Sequence, residues 1–409
     1  MSPQQRTTAE PAAGVFVASA PWLSARGDRV ASNRRAARAA RAIAPAAVAG
    51  AFVALYVACA TIFSQPAVAP GTEGYGYAGS TLLHGLTRWD GAWYARIAQS
   101  GYHALPGRYE PFAFFPLFPV LVATLHAALP LLSIPAAGLA LNAAAIAVGA
   151  TLVDRSLAPW TLSHRLLALA VILSVPSAFF AVAFYSEGLF FLASALVIWS
   201  VSRPSRLVWA PVGVLLGSLD RPLGFLLLIL VLAALWRDGR PPRRRLALGA
   251  CAAGAALTVP AIYWWITGNP IAFATAQGGW TSLRTLGVGD AVHWLLAQLN
   301  PWTATNWVVC LGYWEVLVVA VPMLLYLRRR ASSVAAYGAV ALAVGFLLGG
   351  VGTQSRYIAA LIPVWVGAMA VLRRTSPRAW LPVSLTAVGL GVACNVWLIS
   401  RFASGLWAG

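Results

Sequence analysis

Long apolar runs separated by short polar breaks recur from Ile43 onward, several of them about as long as one bilayer crossing. The first, Ile43 to Phe63, contains no charge and predicts a membrane helix; Pro70 after Ala67-Val68-Ala69 argues against signal cleavage, so the helix is expected to be retained. The breaks carry arginine clusters at Arg26 to Arg41, Arg155 with Arg165, Arg203 with Arg206, Arg237 to Arg245, Arg328 to Arg330 and Arg373 to Arg378. Basic clusters between apolar spans mark the cytoplasmic side. The spans between clusters then come in pairs, and Thr72 to Pro119, Ala183 to Gly188, Leu219 to Pro222, Gly268 to Pro301 and Gly352 to Arg356 lie at the opposite face. One run resists that parity. Phe112 to Leu132 is long enough to cross, yet a crossing there would put later arginine clusters outside. Pro116, Pro119 and Pro130 interrupt it, which predicts short juxtamembrane or re-entrant helices. The expectation is an all-α membrane protein, a polytopic helical bundle of about 11 transmembrane helices (roughly 10–13), with the N-terminus cytoplasmic and a first outer-face loop carrying juxtamembrane helices. Residues 1–42, rich in Arg, Ala and Ser without apolar periodicity, read as a disordered cytoplasmic tail, and 43–409 as the transmembrane domain.

Composition strengthens this picture. Hydrophobic residues make up 60% of the chain and charged ones 10%, too little polar surface for a water-soluble globule. The formal charge of +18 comes from arginines concentrated in the breaks, so it reports topology and no nucleic-acid partner. Absent lysine and abundant alanine suggest a high-GC bacterial genome, hence a bacterial plasma membrane. Cys59, Cys251, Cys310 and Cys394 stand in apolar runs without metal or disulfide spacing and read as buried thiols.

With only 11 acids, each can be placed. Glu10, Asp28, Asp154 and Asp238 fall on the cytoplasmic side or in the tail, and Glu315 within a span, as a packing or a pathway residue. Glu73, Asp90, Glu110, Glu187, Asp220 and Asp290 fall on the outer face. Asp90 is framed by Trp89, Trp93 and Tyr94 on what should be a short interfacial helix, either an aromatic anchor or a site of chemistry. Tyr185-Ser186-Glu187, Asp220-Arg221-Pro222 and Gln354-Ser355-Arg356-Tyr357 each cap a predicted turn at the same face. Arg221 and Arg356 run against the positive-inside bias, and an outward arginine suits bidentate binding of a lipid phosphate. Arg221 can equally be the neutralising neighbour of Asp220.

Five blocks in order resemble the bacterial relatives of the PIG-V mannosyltransferase family, within the GT-C superfamily of membrane glycosyltransferases. They are Trp89-Asp90-Gly91-Ala92-Trp93-Tyr94 with Gly101-Tyr102; Phe114-Phe115-Pro116-Leu117-Phe118-Pro119; Pro176 to Phe180 with Tyr185-Ser186-Glu187; Arg221-Pro222-Leu223-Gly224; and Thr267-Gly268-Asn269-Pro270 with Gln277-Gly278-Gly279-Trp280. Ser355-Arg356-Tyr357 with Pro363 is a weaker sixth. Pro222 and Asn269 depart from the pattern, so no role is given to Asn269. The resemblance implies a GT-C-like fold and transfer of mannose, with inversion, from polyprenyl-phosphate-mannose to a hydroxyl outside the cytoplasm. It also implies that Asp90 is the general base, while Trp89, Trp93, Tyr94, Glu187, Arg221, Gln277, Trp280 and Arg356 are candidates for substrate binding.

The chemistry is consistent with that implication. An acceptor hydroxyl needs a carboxylate to take its proton, and a phosphate leaving group needs positive charge. The sequence holds no Gly-rich nucleotide loop and no acid pair for a metal-bound sugar nucleotide, so neither cofactor nor metal is expected and the donor is expected to be lipid-linked. The acceptor, whether glycolipid, polysaccharide or protein, is left open. The alternative is a transporter or flippase of a lipid or lipid-linked sugar, for which paired repeats and midplane charges would be the signature.

Overall fold

The structure is a computed structural model, and it describes residues 31–65, 81–102, 111–276, 306–348 and 353–408, with single positions between 293 and 300. Among the described residues every regular element is helical. The helices are α1 Ala31–Phe63, α2 Thr81–His84, α3 Asp90–Ser100, α4 Leu117–Ala128, α5 Ile134–Ser156, α6 Leu162–Ser174, α7 Glu187–Val201, α8 Ala210–Asp220 and α9 Leu223–Trp236. They continue with α10 Pro242–Ala256, α11 Thr258–Thr267, α12 Ala272–Ala276, α13 Trp307–Leu327, α14 Ser332–Leu348, α15 Gln354–Ala359, α16 Ile362–Thr375 and α17 Pro377–Ala403.

Four of these are long and apolar enough to cross a membrane: α1 from Arg41, α5, α13 and α17. The bent pair α10–α11 makes a fifth. Among the described residues, then, helix length and composition do not show the expected eleven or so spans. Five further apolar helices, α4, α6, α7, α9 and α14, are 10–17 residues long. The apolar runs are shortened where polar or proline-containing turns cut them, at Ser177 between α6 and α7 and at Arg221-Pro222 between α8 and α9. Phe112 to Leu132 forms a one-turn 3₁₀ helix and the twelve-residue α4, about 18 Å long, well short of the ~30 Å hydrocarbon core. α1 also starts earlier than its apolar run, at Ala31, so its arginine-rich residues continue the same helix.

Only 22% of the apolar window of α1 and 28% of that of α17 are buried within the protein. Ile62, Trp265 and Leu390 are exposed in the same way. Apolar surface on this scale needs lipid to cover it. Inside, one core joins α1, α5, α6 and α17, another joins α7 to α10 with α13 to α16, and a smaller aromatic one joins α3 and α4 to α5 and α7. Cys59 and Cys310 are buried as expected and Cys394 is half-buried, but Cys251 is exposed, on a helix whose small Ala/Gly face leaves it uncovered.

Close approach of α8 and α9 explains one motif. A methyl group at Gly224 would run into the backbone of Gly217, so the helices meet backbone to backbone just beyond the turn that carries Arg221. Gly224→Ala is expected to destabilise the protein by about 3 kcal/mol, because backbone cannot yield as a flexible side chain would. A lowered melting temperature of the purified protein checks this.

Candidate active site

The motif around Asp90 is assembled against the turn before α7. The Phe184 N–H donates to the Leu86 carbonyl at 2.9 Å, which lays residues 86–90 along 184–186. The buried Tyr185 hydroxyl then ties the turn, donating to the Arg88 carbonyl at 3.0 Å and accepting from the Asp90 N–H at 3.1 Å. Asn142 of α5 fixes the other strand of this seam through its Nδ2, donating to the carbonyls of Ala183 and Tyr185 at 2.6 and 2.9 Å. The Tyr94 hydroxyl, one turn along α3, donates to Ser186 Oγ at 3.1 Å. A side chain at Gly91 would press on the Phe184 carbonyl, at 3.2 Å from its Cβ, which is why glycine follows the acid.

This seam delivers Asp90 and Glu187 to one place, each as the first residue of its helix, where the positive end of the helix dipole suits a carboxylate. Two arginines from distant parts of the chain meet them. Arg356 Nη1 lies 2.9 Å from Asp90 Oδ2, while its Nη2 and Nε lie 2.7 and 3.2 Å from Glu187 Oε1. Arg221 Nη2 donates to the same Glu187 oxygen at 2.8 Å. Arg356 also rests on the faces of Phe180 and Tyr185, at 4.6 and 4.9 Å from the ring centroids. Burial is the largest single influence and disfavours the charge on both guanidiniums, but Glu187 together with Asp90 and Tyr185 at Arg356, and with Tyr94 and Asp220 at Arg221, favours it, and both pKa values are raised above the ordinary arginine value. The side chains of Glu187 and Arg356 are 8% and 10% exposed and that of Asp90 is 23%, so Asp90 is the acid that an incoming molecule reaches.

Beside this cluster is a pocket whose polar lining is Ser177, Glu187 and Arg356 and whose walls include Leu173, Phe191 and Ile362. Ser177 stands at φ 65°, a left-handed conformation unusual for a residue with a side chain, and its hydroxyl donates to Ser355 Oγ at 2.8 Å. That bond joins the turn after α6 to the helix that bears Arg356.

Asp90, Glu187, Arg221 and Arg356 are thus brought together. Arg221 turns to Glu187 and forms no ion pair with Asp220, which is buried next to it in sequence. Trp93 stacks on Phe114 at 5.5 Å, and Tyr94 meets Phe114 and Phe118 edge-on, so both belong to the aromatic core under α3. Trp89 has φ 56° and packs edge-on against Trp407, centroids 5.4 Å apart. Gln277 and Trp280, with Glu73, Glu110 and Asp290, lie outside the described residues. Glu315 is buried at the start of a π turn within α13, which packs on α15. The sequence reading passed over Asn142 and Asn395, although a lone amide in an apolar helix has to find partners. Asn395 of α17 accepts from the Phe179 N–H and donates to the carbonyls of Ser174, Val175 and Gly391, holding the turn that carries Ser177.

No family model and no curated protein matches the chain. Among solved structures it is similar to the oligosaccharyltransferase of the archaeon Archaeoglobus fulgidus. In the apo form the identity is 13% and the TM-score 0.44, over 89% of this chain and 56% of that one. In the complex with an inhibitory peptide and a dolichol-phosphate the identity is 13% and the TM-score 0.43, over 88% and 56%. The chain spans little more than half the length of these proteins, and a likeness of this extent defines neither its fold family nor its activity.

Proposed function

We propose that the chain is an inverting membrane glycosyltransferase that moves mannose from polyprenyl-phosphate-mannose to an acceptor hydroxyl at the extracytoplasmic face. The observation that carries this reading is the convergence of Asp90, Glu187, Arg221 and Arg356 from four separate segments onto one site beside an apolar-walled pocket. Asp90 takes the acceptor's proton as its oxygen attacks the anomeric carbon. The bond from that carbon to the phosphate oxygen breaks, and its electron pair leaves with the phosphate. Arg356 and Arg221 face that developing charge, and the apolar pocket suits a lipid-linked molecule. Glu187 holds the two arginines side by side. Trp93 and Tyr94 act as supports for α3, and Trp89 fixes the turn into Asp90. One base is enough for inversion, in contrast to the carboxylate pair of a retaining hydrolase.

Membranes containing the chain, given labelled polyprenyl-phosphate-mannose, should label an acceptor; redistribution of intact labelled donor without transfer would identify a transporter instead. Sidedness has its own test. Ser100 and Gly239 are exposed, at the end of α3 and in the α9–α10 turn. A cysteine at Ser100 should react with a membrane-impermeant thiol reagent in intact cells and one at Gly239 should not. The reverse pattern would place the site in the cytoplasm.

A further inference from the structure

We propose that Arg356 is shared in time between the base and the leaving group, held by Asp90 while the site is empty and passed to the phosphate as Asp90 takes up its proton. The inference rests on the transferase reading and adds a step to it.

The cluster is electrically closed. Asp90 and Glu187 supply two negative charges, Arg221 and Arg356 two positive ones, and the donor hydrogens of Arg356 nearest the site are already spent on the protein's own carboxylates. Within this cluster of four, a phosphate therefore meets no arginine without a carboxylate partner; it has to compete for one. The two contacts of Arg356 differ in how firmly they hold. Toward Glu187 it offers Nη2 and Nε together, against an acid that also receives Arg221, and its plane is backed by Phe180 and Tyr185. Toward Asp90 it offers Nη1 alone, against the most exposed acid of the group. The Asp90 contact is the one that gives way, and the guanidinium need only turn about its anchored edge.

Charge accounting in the reaction gives this exchange a direction. The donor is a phosphodiester with one negative charge, and the product polyprenyl phosphate has up to two. The proton that leaves the acceptor hydroxyl neutralises Asp90 in the same event. Total charge is conserved, and one negative charge moves from Asp90 to the phosphate. An arginine fixed to Asp90 throughout would stabilise the ground state and resist the transfer. One that is released as Asp90 is neutralised stabilises the charge where it arrives, which is the condition for a contact to speed the step.

The signature is competition. With purified full-length protein in detergent at fixed ionic strength, polyprenyl phosphate binding is measured for the native chain and for Asp90→Asn. Removing the competing charge should tighten binding about three- to tenfold. In an Arg356→Gln background the same Asp90→Asn change should produce little or no gain, because the exchanged cation is gone. If Arg356→Gln does not accumulate as folded protein, Arg356→Lys replaces it, since an ammonium cannot hold Asp90 and Glu187 on separate nitrogens, and the gain should again shrink. Unchanged or weaker binding by Asp90→Asn, with native binding intact, overturns the exchange and leaves the transferase reading standing. An equal gain in both backgrounds also overturns it, since that is the long-range effect of one fewer negative charge. No saturable binding of polyprenyl phosphate by the native chain overturns both.

Discussion

Asp90→Asn is expected to lower turnover by a factor on the order of 10² to 10⁴ while the protein still folds. The substitution keeps the size of the side chain and most of its hydrogen bonding. Its oxygen can still accept from Arg356 Nη1, and the backbone bond from Asp90 to Tyr185 does not involve the side chain. What it loses is the ability to take a proton. Transfer activity per amount of folded protein is the quantity to compare. Trp93→Ala is expected to behave in the opposite way, lowering the amount of folded protein in the membrane by emptying the stack on Phe114. If Asp90→Asn is nearly silent and only the tryptophan variants have effects, the helix is an anchor and the base lies elsewhere.

Glu187→Gln is expected to act first on stability. In the sequence this residue is a candidate for substrate binding. In the structure one of its oxygens takes three hydrogen bonds from two half-buried guanidiniums. Neutralising it leaves those two positive charges facing each other, with Asp90 as the remaining carboxylate in contact with Arg356. Breaking a buried ion pair by removing one partner typically costs about 3–5 kcal/mol, and the amide still accepts, so the lower end, about 3 kcal/mol, is expected. Thermal unfolding of the purified variant should show a large drop. A melting temperature within a degree or two of the native value would mean that Glu187 does not organise the arginines.

Much of this site was legible in the sequence because the chain is so poor in charge. Where acids are few and outward arginines run against a topological bias, each stands out, as Asp90, Glu187, Arg221 and Arg356 do. Their pairing was not legible. Arg221 adjoins Asp220 in sequence, yet a helix break carries its side chain to Glu187, and adjacency said nothing of that. Nor could the sequence reveal the seam that Tyr185 and Asn142 make, since Tyr185 stands out only as part of a turn and Asn142 stands in an apolar stretch where a hydropathy average hides a single polar group. About eleven full-length spans are not shown by helix length, for a related reason. Hydropathy counts apolar residues and not unbroken helical turns, and α6 and α7 are separated by an irregular turn that an apolar average runs through. The aromatic residues next to Asp90 are open in the sequence between membrane anchoring and sugar contact, and only the ring geometry places Trp93 and Tyr94 in the core.

The central claim is a single-step displacement with one carboxylate as base. It is tested most directly by the stereochemistry of the product. Purified protein is supplied with polyprenyl-phosphate-mannose of known anomeric configuration and its acceptor, and the configuration of the transferred sugar is read by nuclear magnetic resonance together with the polyprenyl phosphate released. The account predicts the opposite configuration and one polyprenyl phosphate per sugar transferred. A product of unchanged configuration would rule out a single in-line displacement and would contradict it.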